Sequence, residues 1–136
     1  MTRNIPLLLF LTFSSFYILT ASGHLYVTDD STRYFVTQAI IENGTVAIEE
    51  GYGDVGVDGR LYGKYGIVPS IVAIPVYAAG KIANLFFAGA GKEFATVVAV
   101  SFMNCLVMGF VVSLLYVFAL RLGSGVKASF AAAVIF

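Results

Sequence analysis

The chain has 136 residues, no net formal charge, 59% hydrophobic residues, 12% charged residues and a mean hydropathy of +0.89. Soluble domains average about 45–50% apolar and about 25% charged residues, so this composition argues against a soluble domain and predicts an integral membrane protein. No basic run is present to neutralise phosphates, which argues against a nucleic-acid partner. The single cysteine, Cys105, lies in an apolar stretch and excludes an intramolecular disulfide.

The first apolar segment covers residues 5–22 and contains no charged residue, while Arg3 precedes it. This length and this flanking cation predict a first transmembrane helix with a cytoplasmic N-terminus. A cleaved signal peptide is the alternative, because Thr20-Ala21-Ser22 has the small residues of a cleavage site. Both interpretations place the next segment outside the cytoplasm.

Residues 23–65 form a polar, extracytoplasmic loop that holds seven of the eight acidic residues of the chain. Within it, residues 31–43 have the spacing of an amphipathic helix, which we expect to lie on the membrane surface. Asp30 directly precedes this helix and is predicted to be its N-cap, and Asn43-Gly44 is predicted to end it. One face of the helix is apolar and the other polar: Phe35, Val36, Ala39 and Ile40 against Arg33, Thr37, Gln38 and Glu42.

The second half of the loop has the pattern of short strands and turns. "TVAIEE" at residues 45–50 predicts a short strand, and "VDGRLY" at residues 57–62 predicts a tight hairpin. Several tyrosines border the apolar segments, where aromatic residues anchor membrane proteins at the interface. We expect most of the following tyrosines to be such anchors: Tyr26, Tyr34, Tyr62, Tyr65 and Tyr77.

Residues 66–88 are apolar but do not have the pattern of a simple membrane span. Pro69 and Pro75 interrupt the segment, and Lys81 would lie well inside it. A lysine at the centre of a membrane helix costs about 2.5–3.5 kcal/mol on insertion scales. We therefore favour an interfacial or re-entrant segment over a span.

Residues 94–120 contain no formal charge and predict a second transmembrane helix. If residues 66–88 stay on the outer surface, this helix runs inward and places Arg121 and Lys127 in the cytoplasm, as the positive-inside rule prefers. If they span, both cations face outward. Residues 128–136 read as the start of a third membrane helix, so we expect the chain to be the truncated N-terminal part of a larger, all-α polytopic membrane protein.

Two blocks of the loop resemble a known family. The run Asp30-Ser31-Thr32-Arg33-Tyr34 follows the first membrane helix and opens an amphipathic helix. It resembles the first extracytoplasmic loop of GT-C glycosyltransferases, polytopic enzymes that use polyprenyl-phosphate sugars and include protein O-mannosyltransferases and the aminoarabinose transferases of lipid A. The block "DGRLYGKYG" at residues 58–66, followed by "IVPSIVAIPVYAAG", is similar to a second pattern of the prokaryotic members. The resemblance covers residues 1 to about 122.

The resemblance implies roles for five residues. Asp30 would be the catalytic base, with Asp29 as the second candidate, and would take the proton of an acceptor hydroxyl as that oxygen attacks the anomeric carbon and the lipid phosphate leaves. Arg33 and Lys64 match cationic positions of the family and would offset the charge of the donor phosphate. Tyr34 belongs to the same motif and would contact substrate.

The implied partners are a membrane lipid-linked sugar donor, a hydroxyl acceptor on a glycan, lipid or protein, and further helices beyond the C-terminus. The implied location is the plasma membrane. Ser31 stands where the family often has a second acid, so a divalent metal stays possible but no cofactor is specified. Purely structural alternatives are an ion pair of Arg33 with Asp29 or Asp30, and a Lys64 that reaches the lipid headgroups. The alternative functions are a transporter subunit and a small non-catalytic membrane protein.

Overall fold

The computed structural model describes residues 4–25, 28–87, 91 and 93–136. The described part of the chain is mostly helical, as predicted. It also contains a small three-stranded sheet, which the predicted all-α class does not include. Its elements in chain order are α1 (Ile5–Thr20), α2 (Thr28–Asn43), β1 (Ala47–Ile48), β2 (Gly53–Val55), β3 (Leu61–Gly63), α3 (Val68–Asn84), α4 (Phe94–Ser101), α5 (Met103–Arg121) and α6 (Val126–Ile135).

The chain divides into two compact units. The first, which we call the helical unit, contains α1, α6 and α5 from Asn104 onward. Its core is built from Leu9, Val112, Tyr116 and Ala133. Gly109 lets α5 approach α1 closely, because a Cβ there would lie 2.9 Å from the Phe10 carbonyl oxygen. Small residues at such contacts are typical of helices packed in a membrane.

One helix in the described part of the chain, residues 94–121, is long and apolar enough to cross a membrane. It agrees with the predicted second span, with a local irregularity at Phe102 between α4 and α5. The other apolar helices of this kind are shorter: α1 ends at Thr20 rather than residue 22, and α6 begins at Val126 rather than residue 128. Arg3 lies outside the described residues.

The second unit, residues 23–103, contains the polar loop, α3 and α4, and we call it the loop unit. The strands form an antiparallel sheet in the order β1-β3-β2, with Ala47 and Asp54 both opposite Tyr62. The predicted strand and hairpin are thus confirmed, and the Gly56 N–H donates to the Arg60 carbonyl to close the hairpin turn. Gly44, at φ +62°, ends α2 as predicted.

Helix α2 begins at Thr28, which places Asp30 in its first turn rather than at its N-cap. The predicted polar face is also wrong at Thr37, which is fully buried. The Thr37 hydroxyl donates to the carbonyls of Arg33 and Ser70, at 2.7 and 3.0 Å. Those bonds remove the cost of burying a hydroxyl, so α2 is buried on more sides than its amphipathic pattern indicates.

Helix α3 occupies most of the segment whose placement the sequence leaves open; residue 88 lies outside the described residues. Pro69 lies in its first turn, where proline is tolerated, and Pro75 lies inside the helix. One face packs inward through Ser70, Ala73, Tyr77 and Gly80, and the other exposes Val68, Ile71, Val72 and Ile82.

The end of α3 is fixed to the start of α4. The Asn84 side chain accepts a hydrogen bond from the Ala95 N–H at 2.8 Å and donates to the Thr96 hydroxyl at 2.6 Å. The Ala95 N–H is one of the free donors at a helix N-terminus, so Asn84 caps α4 from the preceding helix. Helices α3 and α4 are therefore joined to each other, and α2 packs against both.

Candidate functional site

One face of α2 and the segment after the hairpin enclose a cavity of about 220 Å³, which we call the Asp29 cavity. Asp29 and Arg33 bring the charged groups to it from α2, and Tyr65 brings a phenol from the opposite wall. The α2 positions follow helical spacing, so a single helix face supplies them. The full lining is Asp29, Thr32, Arg33, Val36, Tyr65, Gly66, Pro69 and Ser70.

The two acids in the first turn of α2 have different partners. Asp29 Oδ1 accepts a hydrogen bond from the Thr28 hydroxyl at 3.2 Å. A hydrogen-bonding interaction of the Tyr65 hydroxyl with Asp29 raises the pKa of Tyr65. Asp30 Oδ1 instead accepts from Arg33 Nη2 at 2.8 Å, which is the ion pair that the structural alternative for Arg33 predicts.

Thr32, which lines the Asp29 cavity, connects α2 to the sheet and to the segment before it. Its hydroxyl donates to the Thr28 carbonyl at 2.7 Å and to the Tyr52 carbonyl at 2.9 Å. Gly63 of β3 lies against it, since a Cβ at Gly63 would be 3.0 Å from the Thr32 methyl group. The sheet and α2 therefore hold one another in place at Thr32, which lines the Asp29 cavity with Asp29 and Arg33.

Of the five predicted site residues, Asp29 and Arg33 line the Asp29 cavity, whereas Asp30, Lys64 and Tyr34 do not. Lys64 Nζ is 3.5 Å from Asp54 Oδ1 of the hairpin, and half of its side chain is exposed. Tyr34 is buried on another side of α2, where its hydroxyl donates to Glu93 Oε2 at 2.6 Å. The structure thus brings Asp29, Asp30 and Arg33 together, but not Lys64 or Tyr34 with them.

Tyr34 belongs to a charged network that the sequence interpretation did not predict. The Tyr77 hydroxyl and Lys81 Nζ both donate to Glu42 Oε1, at 2.6 and 2.5 Å. Lys81 Nζ also lies 3.6 Å from Glu93 Oε1. The network therefore joins α2 and α3 to the residue before α4, and it corrects the prediction that Tyr34 and Tyr77 are interfacial anchors. Tyr26 lies outside the described residues.

The surroundings of this network shift several pKa values. Burial, and then hydrogen bonding to the carboxylates, raises the pKa of Tyr34 and of Tyr77. Lys81 and then Tyr77 lower the pKa of Glu42 by hydrogen bonding, and the Glu42 bond raises the pKa of Lys81. Both tyrosines therefore stay protonated donors, and the Glu42–Lys81 pair stays ionised around neutral pH.

A larger cavity of about 520 Å³ lies beside the network, on the other side of α2 from the Asp29 cavity. Its lining includes Tyr34, Phe35, Gln38, Glu42, Glu49 and Glu93. The one sequence signal for this region was Lys81, because a cation inside an apolar segment needs a carboxylate partner. That signal does not say which acid is the partner.

The described residues include no group of three or more His, Cys, Asp or Glu side chains that could hold a metal ion. Asp29 and Asp30 alone offer too few oxygen ligands for an all-protein site, since calcium takes six to eight and magnesium six. The described residues therefore do not form a metal site built from protein ligands alone, and the proposed reaction uses no metal ion.

No family model, curated protein or solved structure matches the chain. The resemblance to GT-C glycosyltransferases thus depends on the two loop blocks alone. The structure adds one observation relevant to this resemblance: residues of both blocks line the same cavity.

Proposed function

We propose that the chain carries the first extracytoplasmic loop of a membrane glycosyltransferase of GT-C type. The observation that supports this proposal is the Asp29 cavity, because residues of both blocks that carry the resemblance line it. These are Thr32 and Arg33 from the first block, and Tyr65, Gly66, Pro69 and Ser70 from the second block and the stretch that follows it. Residues 29–36 supply one wall and residues 65–70 the other. Polar groups from distant sequence positions that converge on one concave site are the usual sign of a binding or catalytic centre.

The proposed reaction transfers a sugar from a polyprenyl-phosphate donor to an acceptor hydroxyl. The acceptor oxygen attacks the anomeric carbon, the bond from that carbon to the phosphate oxygen breaks, and its electron pair stays on the lipid phosphate. The proton of the hydroxyl passes to Asp29 or Asp30. Arg33 lies on the cavity wall, where a guanidinium can stabilise the phosphate charge that develops. The resemblance assigns the same role to Lys64, although the structure pairs Lys64 with Asp54 outside the cavity lining.

The proposed topology follows from the helix at residues 94–121 and the flanking charges. With a cytoplasmic N-terminus, the loop unit lies on the outer face of the plasma membrane, and the helix runs inward to Arg121 and Lys127. A multi-pass arrangement adds α1 and α6 as membrane helices. The exposed apolar face of α3, which includes Ile71 and Ile82, then contacts the membrane interface.

A transporter subunit is less well supported. Residues that carry ions or protons through a membrane are commonly ionisable side chains within the spans. Residues 94–120 contain no Asp, Glu, Lys, Arg or His. The charged groups instead concentrate in the loop unit, which favours chemistry or binding at the membrane surface.

The test uses the full-length protein in proteoliposomes with four radiolabelled donors: undecaprenyl-phosphate mannose, glucose, galactose and aminoarabinose. The measured quantity is release of undecaprenyl phosphate. The double variant Asp29→Asn/Asp30→Asn is expected to lower the rate at least about 100-fold, the usual contribution of a general base. Its amount in the membrane should equal that of the wild type.

The matched control is Glu49→Gln/Glu50→Gln, which removes two exposed carboxylates of the same loop without touching the Asp29 cavity. This control is expected to keep the wild-type rate. Wild-type protein that releases lipid phosphate from none of the four donors would overturn the proposed function. A fully active Asp29→Asn/Asp30→Asn variant would overturn the assignment of the base.

A further inference from the structure

Asp29 and Asp30 are sequence neighbours, yet their surroundings in the first turn of α2 differ. Successive residues of an α-helix are rotated by about 100°, so adjacent side chains leave the helix in different directions. Asp29 lines the Asp29 cavity. Asp30 does not line it, and its Oδ1 is in contact with Arg33 Nη2 at 2.8 Å. The two carboxylates are therefore placed for different tasks.

A general base must reach the proton that it removes, directly or through one water. We infer that Asp29 is the catalytic base and that Asp30 is a positioning residue, which holds the Arg33 guanidinium at the cavity wall. The inference rests on the proposed function, because it divides the roles within the same reaction. It reverses the order that the sequence resemblance gives to the two acids.

The neighbours of Asp29 fit this assignment. Thr28 donates to it from the same turn, and Tyr65 faces it from the opposite wall of the cavity. Both are neutral hydroxyl groups, so they can orient the carboxylate without forming an ion pair with it. Tyr65 comes from the second sequence block, and its contact with Asp29 gives that block a positioning role.

The neighbours of Asp30 fit the other role. Arg33 is three residues further along α2, a spacing at which side chains of a helix meet. The side chain of Arg33 is only 17% exposed, so its guanidinium lies in a restricted volume next to the cavity. The Asp30 carboxylate holds the Arg33 guanidinium in one orientation, and in that orientation Arg33 lines the cavity.

In the resulting step, the acceptor O–H bond breaks and its proton passes to an Asp29 oxygen. The acceptor oxygen forms the new bond to the anomeric carbon. The bond from that carbon to the phosphate oxygen breaks, and the electron pair leaves with the lipid phosphate beside Arg33. No oxidant, reductant or further reactant is needed.

The test compares the single variants Asp29→Asn and Asp30→Asn in the proteoliposome assay. For Asp29→Asn we expect kcat to fall at least about 100-fold, with the donor KM within about 2-fold of wild type. For Asp30→Asn we expect the donor KM to rise at least about 5-fold, with kcat within about 3-fold, because a loosened Arg33 weakens donor binding. Added formate, a small external base, should restore part of the lost rate to Asp29→Asn and none to Asp30→Asn.

Tyr65→Phe provides a variant that keeps the fold, since the Tyr65 side chain is mostly exposed. It should lower kcat by about 3- to 10-fold and leave the donor KM unchanged, as expected for loss of one orienting hydrogen bond. Asp29→Glu, which keeps the carboxylate, should retain more activity than Asp29→Asn.

The opposite pattern would overturn the inference. If Asp30→Asn loses kcat and is rescued by formate while Asp29→Asn stays active, Asp30 is the base and the proposed function stands. If both single variants keep the wild-type kcat and KM, neither acid has the role assigned to it. If the wild type is inactive with all four donors, the proposed function fails and this inference fails with it.

Discussion

At the residue scale, Lys81 shows how the fold accommodates a cation in an apolar segment. Placed in the centre of a membrane, it would cost about 2.5–3.5 kcal/mol. In the loop unit it contacts Glu42 and Glu93 instead, and its side chain stays 41% exposed. Its ring contact with Tyr77, 5.9 Å from the ammonium to the ring centroid, adds a weaker attraction. Lys81 therefore supports the packing of α3 against α2 and is not a sign of a transport path.

The Glu42–Lys81 pair predicts a pH dependence of stability. Because the folded pKa of Glu42 is lowered from 4.5, its contribution is present above that value and is lost as the pH falls through the folded pKa. Because the folded pKa of Lys81 is raised from 10.5, its contribution is present below that value and is lost as the pH rises through the folded pKa. The pair therefore stabilises the loop unit between these limits.

Lys81→Met is expected to lower the free energy of unfolding at pH 7 by about 0.2–1 kcal/mol, the range for partly exposed ion pairs. It should also reduce the loss of stability between pH 7 and pH 3. Circular dichroism of thermal unfolding in detergent measures both effects. Lys127→Met, in the exposed first turn of α6, is the control. The same acid-induced loss in Lys81→Met and in wild type would contradict the assigned role of the pair.

At the element scale, local signals predicted most of the secondary structure. The end of α2 was predictable because Gly44 adopts a left-handed φ of +62°, and the hairpin because Gly59, at φ +77°, lies in its turn. The start of α2 was harder to predict, since Thr28, Asp29 and Asp30 all suit a helix N-terminus. Local sequence signals therefore predicted which helices and strands form, but they left the boundaries of these elements uncertain by a few residues.

The contacts between elements were not predictable in the same way. Tyr34 and Glu93 are 59 positions apart, and Lys81 and Glu42 are 39 apart. No periodicity within one element relates such residues, because their meeting depends on how whole helices pack. The Asp29 cavity was partly predictable, since two motifs pointed to it. The position of Lys64 was not, because the hairpin directs it to Asp54.

The close approach of α3 to α4 depends on Gly80. A Cβ at this position would lie 2.6 Å from Thr96 Cα and 3.0 Å from the Ala95 carbonyl oxygen. Both are backbone atoms, so neither can move without shifting α4. Gly80→Ala is therefore expected to destabilise the loop unit by about 1–3 kcal/mol, the usual cost of overpacking.

Thermal unfolding in detergent measures this cost, and Gly125→Ala is the matched control. Gly125 has an ordinary φ of −65° and no atom within 4 Å of the added Cβ, so this variant should lose only the small preference of the α6 N-cap for glycine over alanine, less than Gly80→Ala loses. Equal stability of Gly80→Ala and Gly125→Ala would show that α3 and α4 do not pack as tightly as the structure indicates.

At the scale of the whole molecule, the distribution of exposed apolar side chains is consistent with the proposed multi-pass membrane location. The helical unit exposes large apolar residues on all three of its helices: Leu7, Leu8, Leu11, Phe16 and Leu19 on α1, Phe110, Leu114 and Phe118 on α5, and Phe130, Val134 and Ile135 on α6. Water would oppose so much exposed apolar surface, whereas acyl chains accept it. The loop unit instead holds most of the charged residues, which is consistent with its proposed position at the membrane surface.

The proposed topology makes a prediction that single-cysteine labelling can check. In a Cys105→Ser background, Val57→Cys places a thiol on the fully exposed turn of the hairpin, and Ser124→Cys places one on the exposed segment between α5 and α6. Because the helix at residues 94–121 is proposed to run inward, a membrane-impermeant maleimide should label position 57 in intact cells. Position 124 should react only after the cells are permeabilised.

The Cys105→Ser protein without an added cysteine is the control and should not react. Labelling of position 124 alone in intact cells would place the Asp29 cavity in the cytoplasm, on the wrong side for an extracytoplasmic acceptor. Labelling of both positions from outside would mean that residues 94–121 do not cross the bilayer, even though 27 consecutive positions of that helix, residues 94–120, are without charge. Only label at position 57 combined with protection at position 124 is consistent with the full proposed topology, in which the base works at the outer membrane surface and residues 94–121 cross the bilayer.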